Sequence, residues 1–447
     1  MVTLPGERRL TPGVGLTAAS GAAAYPDGDM SIPRPVGAGA VEFSPWRPQS
    51  WLLVVVAAGL LGAILGVSAT ALLSRGPLAG YEYALWKWEA STLTTNAFAR
   101  LGIGPDPADE DGEAALRAYF GLTSQIRAQL EAAAPDAALI DTLTSERAAY
   151  ENSVERLVER FIDEAIATAG LQEALPLFGD VQVTWPPVDF EMTSPPRLLV
   201  RSPRDRIERS GDTLLKNDLT LADILRIEAR TTDEDTVSLV LSIGGLAAYP
   251  AIVRDDRSYD TLLDTAAHEW VHHYLAFYPL GRQWGHGGDS ETLNETTADL
   301  AGREIANLIR RRHPVQLPAD ADGRAPAAPA PTVDFNEEMR KLRLEVDALL
   351  ANGKVAEAEA TMEERRLFLA DHGITISKIN QAYFAFYGTY AAGPASSNPI
   401  GPKIDRVWEL TGDVGVFLRA MRGVETAAGL DRLLAGLESR AGTASGR

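Results

Sequence analysis

The segment His268-Glu269-Trp270-Val271-His272 decides how the rest of this chain is read. Two histidines four positions apart on a helix stand one above the other on the same face. Both imidazoles then reach one metal ion. Glu269 lies beside the first of them, where a carboxylate can take a proton from a water held by that metal. A catalytic zinc site needs a third protein ligand and keeps a fourth position open. The segment Asn294-Glu295-Thr296-Thr297-Ala298-Asp299 offers Glu295 as that ligand. Asp299, one turn further on, is a candidate acceptor for the free ring N–H of a ligating histidine. The chain has six histidines, and three of them fall in the first segment and the position after it. That clustering argues against accident. His273 points away from the pair and reads as an ordinary polar residue.

The local pattern supports two helices. Ser258 and Asp260 are candidate N-caps for the first, with Leu262, Ala266, Val271 and Leu275 as its apolar face. Pro279-Leu280-Gly281 ends it. The second is expected over about 294–311, stopping at His313-Pro314. The loop between them, Gln283 to Asp289, is glycine-rich and carries His286. That histidine is a candidate for contact with a transition state, and a solvated side chain is the plainer alternative.

The two segments together resemble the gluzincins, the thermolysin-like zinc peptidases, in which H-E-x-x-H is followed by N-E-x-x-S/A-D. The resemblance covers roughly residues 237–311, including a loop of familiar length between His272 and Glu295. It implies Zn2+ held by His268, His272 and Glu295, with Glu269 as general base and Asp299 behind a histidine. It also implies a peptide or protein substrate and a zincin-like catalytic domain made of a small sheet and the metal-bearing helices. Gluzincins usually add a Tyr or His that donates to the developing negative charge. Tyr383, Tyr387 and Tyr390 lie at i, i+4 and i+7 and share one helix face if that stretch is helical. Tyr387 is the first choice for the donor, Tyr390 the second and His286 the third; a purely structural aromatic stripe is the alternative. A softer resemblance links Ile379-Asn380-Gln381-Ala382-Tyr383, Tyr387-Gly388-Thr389-Tyr390, Gly412-Asp413 and Phe417 to the closing segment of a family of bacterial membrane-associated aminopeptidases. Many aminopeptidases of the clan hold the substrate amine with an acid in a G-x-M-E-N strand. The corresponding Gly244-Gly245-Leu246-Ala247-Ala248 has none, so the choice between exo- and endopeptidase stays open.

From Trp51 to Leu73 runs an uncharged apolar stretch of 23 residues, enough to cross a hydrocarbon core of roughly 30 Å. Arg47 and Arg75 bracket it, and Trp46 and Trp51 suit the interface. It is long for the apolar part of a signal peptide, which spans about 7–15 residues. An uncleaved single-pass anchor is therefore preferred to a cleaved leader. Arg8, Arg9, Arg34 and Arg47 precede it, while Arg75 and Lys87 follow closely. This slight bias expects the N-terminus inside and the large C-terminal part extracytoplasmic.

The 447 residues carry a formal net charge of −19, which argues against nucleic acid as a partner. A hydrophobic content of 45% fits a folded chain. The absence of cysteine removes any disulfide scaffold without fixing a compartment. The expected class is α+β, mainly α. A disordered Gly/Ala/Pro-rich tail covers 1–50, the anchor 51–73, and a helical region 76–180 beginning at Tyr81. The zincin-like core spans 181–313, a linker or loop 314–333, and a helical C-terminal subdomain completing the cleft 334–439. Within the core, strands are expected near Trp185–Phe190, over Arg197–Val200 and Val237–Ile243, and over Ala248–Val253 after a Gly244-Gly245 turn. A helix is expected near 219–229. Pro250 confines the last of these strands to an edge or a bulge. In the gluzincins an edge strand in this place pairs with the extended substrate backbone, so the resemblance implies that role here; an ordinary edge strand is the alternative. A helical hairpin is expected over 335–370, with Leu342, Val346 and Leu349 facing Ala356, Met362 and Leu367. A rival from another class remains, a membrane-tethered interaction or structural protein with a non-catalytic metal site. Glu269 speaks against it, because a structural site needs no base.

Overall fold

The computed structural model describes residues 78–100, 112–174, 182–285, 289–317, 333–391 and 393–445. The expected tail and anchor, His286 and most of the 314–333 linker lie outside the described residues. No described helix is long and apolar enough to cross a membrane.

The architecture is α+β and mainly helical. Four helices come first, α1 (Leu85–Arg100), α2 (Gly112–Glu131), α3 (Ala137–Ala148) and α4 (Glu151–Thr168). The strands follow as β1 (Glu173–Ala174), β2 (Gln182–Val183), β3 (Phe190–Met192), β4 (Arg197–Pro203) and β5 (Gly211–Leu215). Helix α5 (Leu221–Thr231) leads into β6 (Thr236–Ser242), β7 (Gly245–Leu246) and β8 (Ala251–Val253). The remaining helices are α6 (Tyr259–Leu275), α7 (Pro279–Arg282), α8 (Ser290–Arg312), α9 (Phe335–Ala351), α10 (Val355–Asp371), α11 (Gln381–Tyr387), α12 (Ile400–Thr411), α13 (Val414–Met421) and α14 (Ala427–Ser445).

Strands β1 and β2 pair antiparallel as a small sheet of their own, and the other six form two three-stranded sheets. One has the antiparallel order β5-β4-β6, the other the order β3-β8-β7. In the second, β8 is the central strand, parallel to β3 and antiparallel to β7. The edge expected for the Pro250 strand is thus corrected. The strand starts at Ala251, after the proline, so Pro250 withholds no N–H from the ladder. The edge belongs instead to β7, formed where a Gly244-Gly245 turn was expected.

Three of the four edges of these sheets are covered. Tyr83 N–H donates to Leu214 O and Lys216 N–H to Tyr81 O, closing the outer side of β5. The residues from Tyr81 are therefore not the start of a helix, which begins at Leu85. On β6, Val240 N–H donates to Glu228 Oε1 (2.9 Å) and Ser238 N–H to Thr232 Oγ1 (3.2 Å), while Asn380 Nδ2 donates to Ser238 O (3.1 Å). On β3, Phe190 N–H donates to Glu159 Oε1 (3.2 Å) and Met192 N–H to Glu155 Oε1 (2.6 Å). Strand β7 pairs only with β8.

The sheet β5-β4-β6 buries different residues on its two faces, as strand alternation requires. Leu198, Val200, Leu239 and Leu241 pack with Ala382, Tyr383 and Phe386 of α11. Leu199, Leu215 and Val240 pack on the other side with Ile224 and Ile227 of α5 and with Leu78 and Tyr81. The hairpin α9–α10 forms as expected, with Leu342, Val346 and Met362 buried. Its second helix is turned, however. Ala358 and Leu369 join Met362 as its buried positions, while Ala356 is exposed and Leu367 is 50% exposed.

The largest core joins α2 and α4 to α6, α8, α12 and α13, through Phe120, Ile162, Trp270, Ile305, Ile404 and Phe417 among others. Gly302 of α8 lets the two central helices touch. A Cβ there would stand 2.8 Å from His268 N and Cα, closer than any side chain tolerates.

Candidate metal centre

Helix α6 starts at Ser258, whose hydroxyl accepts from Thr261 N–H. One face of it buries Leu262, Ala266, Val271 and Leu275 in the main core. The adjoining face presents His268 and His272 to α8. Helix α8 begins one turn earlier than expected, at Ser290, so Asn294 and Glu295 lie in its second turn. The close approach at Gly302 brings the carboxylate of Glu295 to both imidazoles. His268 Nε2 lies 3.4 Å and His272 Nε2 3.6 Å from Glu295 Oε2, and the two Nε2 atoms are 2.9 Å apart. All three ligand-type atoms fall within 4.8 Å of one another.

Whether these residues suit a metal can be judged from the chain itself. Glu295 Oε2 is fully buried and has no hydrogen-bond partner among the described residues. The ring nitrogens sit at ion-pair distance from it, without making a hydrogen bond. An uncompensated buried carboxylate oxygen is costly, and a cation between the three atoms would satisfy it. The tautomer agrees. Asn294 Nδ2 donates to Leu280 O (3.5 Å), which turns its Oδ1 to His272 Nδ1 at 2.7 Å. Nδ1 therefore carries the proton, and Nε2 is left to ligate.

The electrostatics follow from burial and crowding. Burial would raise the Glu295 carboxyl, but His272 and His268 outweigh it and hold it well below the usual carboxylate range. Burial would lower His272, but Glu295 beside it pushes the imidazole up to about 9. Glu269 is 6% exposed. Desolvation raises its carboxyl against the pull of His268 and His272. The edge strand makes room for it, since a Cβ on Gly245 would overlap Glu269 Oε1 and stand 2.9 Å from Thr265 Cγ2.

A cleft of about 760 Å³ runs along this cluster, lined by Gly245 and Leu246 of β7, His268, Glu269, Glu295, Tyr387 and Tyr390 among others. The expected tyrosine face is interrupted. Helix α11 ends at Tyr387 with Gly388 as its cap, so Tyr390 stands beyond the helix. There Ala391 N–H donates to Thr296 Oγ1 (3.0 Å), and that hydroxyl lies 3.4 Å from Thr389 O. These contacts pin the backbone on both sides of Tyr390 to the residue after Glu295. The Tyr390 ring lies 6.4 Å from that of His268. Burial, then the Glu295 and Glu269 carboxylates, hold its hydroxyl well above the ordinary tyrosine range, so it remains a donor. Tyr387 lines the same cleft but packs against Tyr383, with centroids 4.6 Å apart and the rings tilted by 45°.

One assignment needs correction. Asp299 forms an ion pair with Arg303 (3.3 Å) and makes no hydrogen bond to either histidine among the described residues. Asn294 takes the role expected of it. His273, read as an ordinary polar residue, bonds a backbone carbonyl. It is half-buried in the cleft wall, 2.6 Å from Ala248 O, and burial pushes it down to about 4. Residues missed by the sequence reading are Asn294, Thr296 and Arg209. The first two flank Glu295 directly, and a polar residue facing a core is itself a signal. Arg209 pairs with Asp212, lies 3.6 Å from Glu291 and rests on the Phe386 ring at 5.3 Å. Nothing in its local sequence points to the cleft.

No family model, no curated protein and no solved structure matches this chain.

Proposed function

We propose that this chain is a membrane-anchored, zinc-dependent peptidase of gluzincin type. The observation that carries the reading is the orphaned, buried Glu295 oxygen facing two converged imidazole nitrogens. The buried Glu269 beside them supports catalysis over a structural role, and the open edge of β7 in the cleft supports an extended peptide as substrate. His268, His272 and Glu295 would hold the ion. When bound, Zn2+ supplies a Lewis acid that polarises the scissile carbonyl and acidifies the attacking water.

The chain's own groups do the rest. Strand β7 pairs with the substrate backbone and lays the scissile bond along the cleft. Glu269 takes a proton from the water as its oxygen bonds to the carbonyl carbon. The same carboxyl then gives that proton to the amine as the C–N bond breaks. Tyr390 donates its phenolic hydrogen to the carbonyl oxygen as negative charge develops there. The 51–73 segment anchors the chain, with the catalytic part extracytoplasmic.

The test is a peptide-library digestion by the purified full chain, with and without a chelator, beside Glu269→Gln. The expected result is chelator-sensitive cleavage, and a variant that keeps its zinc while turnover falls on the order of 10²–10⁴-fold. Cleavage by Glu269→Gln at the parent rate would falsify the mechanism. A parent chain that binds zinc but cleaves nothing would favour a structural metal site.

A further inference from the structure

The strongest feature outside the cleft is on α5. Leu221 is 70% exposed, the most of any large apolar side chain among the described residues, and Leu225, one turn on, is 56% exposed. They share a helix face. Their helix packs on the side of β5-β4-β6 that also holds Leu78 and Tyr81. Polar contacts tie these parts together, since Arg226 Nη1 donates to Tyr81 Oη (2.9 Å) and Tyr81 Oη donates to Asp223 Oδ1 (3.5 Å).

Position along the chain gives this face its meaning. The apolar run ends at Leu73, and the described residues begin at Leu78. Five peptide steps span at most about 17 Å at roughly 3.3–3.6 Å each. A bilayer holding residues 51–73 therefore has its surface within that distance of Leu78, which packs on the same side of the sheet as α5. We propose that the α5 face carrying Leu221 and Leu225 rests in the lipid interface at the foot of this segment, as a second contact with the bilayer. Apolar side chains of an amphipathic helix lying in the interface plane enter the boundary between headgroups and acyl chains. The opposite face of the same sheet carries α11, so the cleft side is turned away from the lipid. The inference rests on the 51–73 segment being inserted, and it is independent of the metal site.

The chain has no cysteine, so single labels can be placed on the full protein without other changes. Leu221→Cys and Leu225→Cys are each coupled to an environment-sensitive fluorophore, as is Leu344→Cys on α9, which is also exposed. The labelled chains are reconstituted into phosphatidylcholine vesicles containing lipid with a nitroxide high on its acyl chain. The expected result is loss of emission at 221 and 225, with 344 unaffected. Equal emission at all three sites overturns the proposal. So does a chain that fails to float with the vesicles. Shielding of 221 and 225 from aqueous iodide without nitroxide quenching also overturns it, and assigns the face to a second protein surface.

Discussion

Tyr387 and Tyr390 differ in what their rings meet. Tyr387 packs within the α11 aromatic cluster, whereas Tyr390 stands beyond the end of that helix beside His268 and both cleft carboxylates. On the proposed mechanism the hydroxyl that matters is therefore that of Tyr390. Tyr390→Phe is expected to lower kcat by about 10²-fold, or ~2.7 kcal/mol, with little change in KM. Tyr387→Phe should stay near the parent rate, and steady-state kinetics on one peptide distinguishes the two. The ligand-type residues were legible because H-E-x-x-H fixes its own geometry wherever a helix forms. The order of the tyrosines was not, because it depended on where α11 stops, and Gly388 stops it one turn early. The exchange of Asp299 for Asn294 has a similar origin. Both lie on α8; the i,i+4 pair with Arg303 engages Asp299, and the tertiary placement of Leu280 orients Asn294 towards an imidazole.

Helices α6 and α8 meet at a glycine, and Glu269 lies against another. Gly302→Ala gains about 1 kcal/mol of helix propensity. The added methyl, however, strikes the His268 backbone, and overpacking of this kind costs typically about 1–3 kcal/mol. The net expectation is loss of stability together with weaker zinc binding, read by thermal melting and by zinc titration. Gly245→Ala should act differently. Its methyl meets the far end of the Glu269 side chain, which can move. The fold and zinc content should therefore survive while turnover drops. A Gly245→Ala chain with the parent rate would show that Glu269 has room to spare. Among the strands, β6 stood out in the sequence as a run of buried β-branched and leucine residues. Strand β5, Gly211-Asp212-Thr213-Leu214-Leu215, did not, because its first residues are half-exposed and polar and only Leu215 is fully buried. Pro250 was read as confining its strand to an edge or a bulge, yet that strand is the central one of its sheet. What it could not reveal is that the strand simply starts after it.

At the scale of the molecule, α6 and α8 sit in the middle of a core shared with α2, α4, α12 and α13. An ion clamped between those two helices should therefore stabilise the whole assembly. Binding to the folded form alone adds about 2.7 kcal/mol when free ligand is 100 times Kd. The melting temperature of the full chain is expected to rise with zinc and fall with a chelator, while His268→Ala responds to neither. A parent midpoint indifferent to zinc would contradict the ligand set. This shared core was not legible in advance. Periodicity over 112–168 showed apolar helix faces, but a face does not say what it will pack against. The N-terminal helices thus read as a flanking region, whereas α2 and α4 are part of the wall behind α6 and α8.

The treatment of sheet edges has a consequence for life at high concentration. An uncovered strand is a template on which any extended chain can polymerise. Side chains from α4 and α5, Asn380 and Thr232, and the residues after Leu78 blunt three such templates. The fourth, β7, lines the cleft. On the proposed function, a cleft wall that takes up one extended peptide would at the same time hold this edge back from the rigid sheet of a neighbouring molecule.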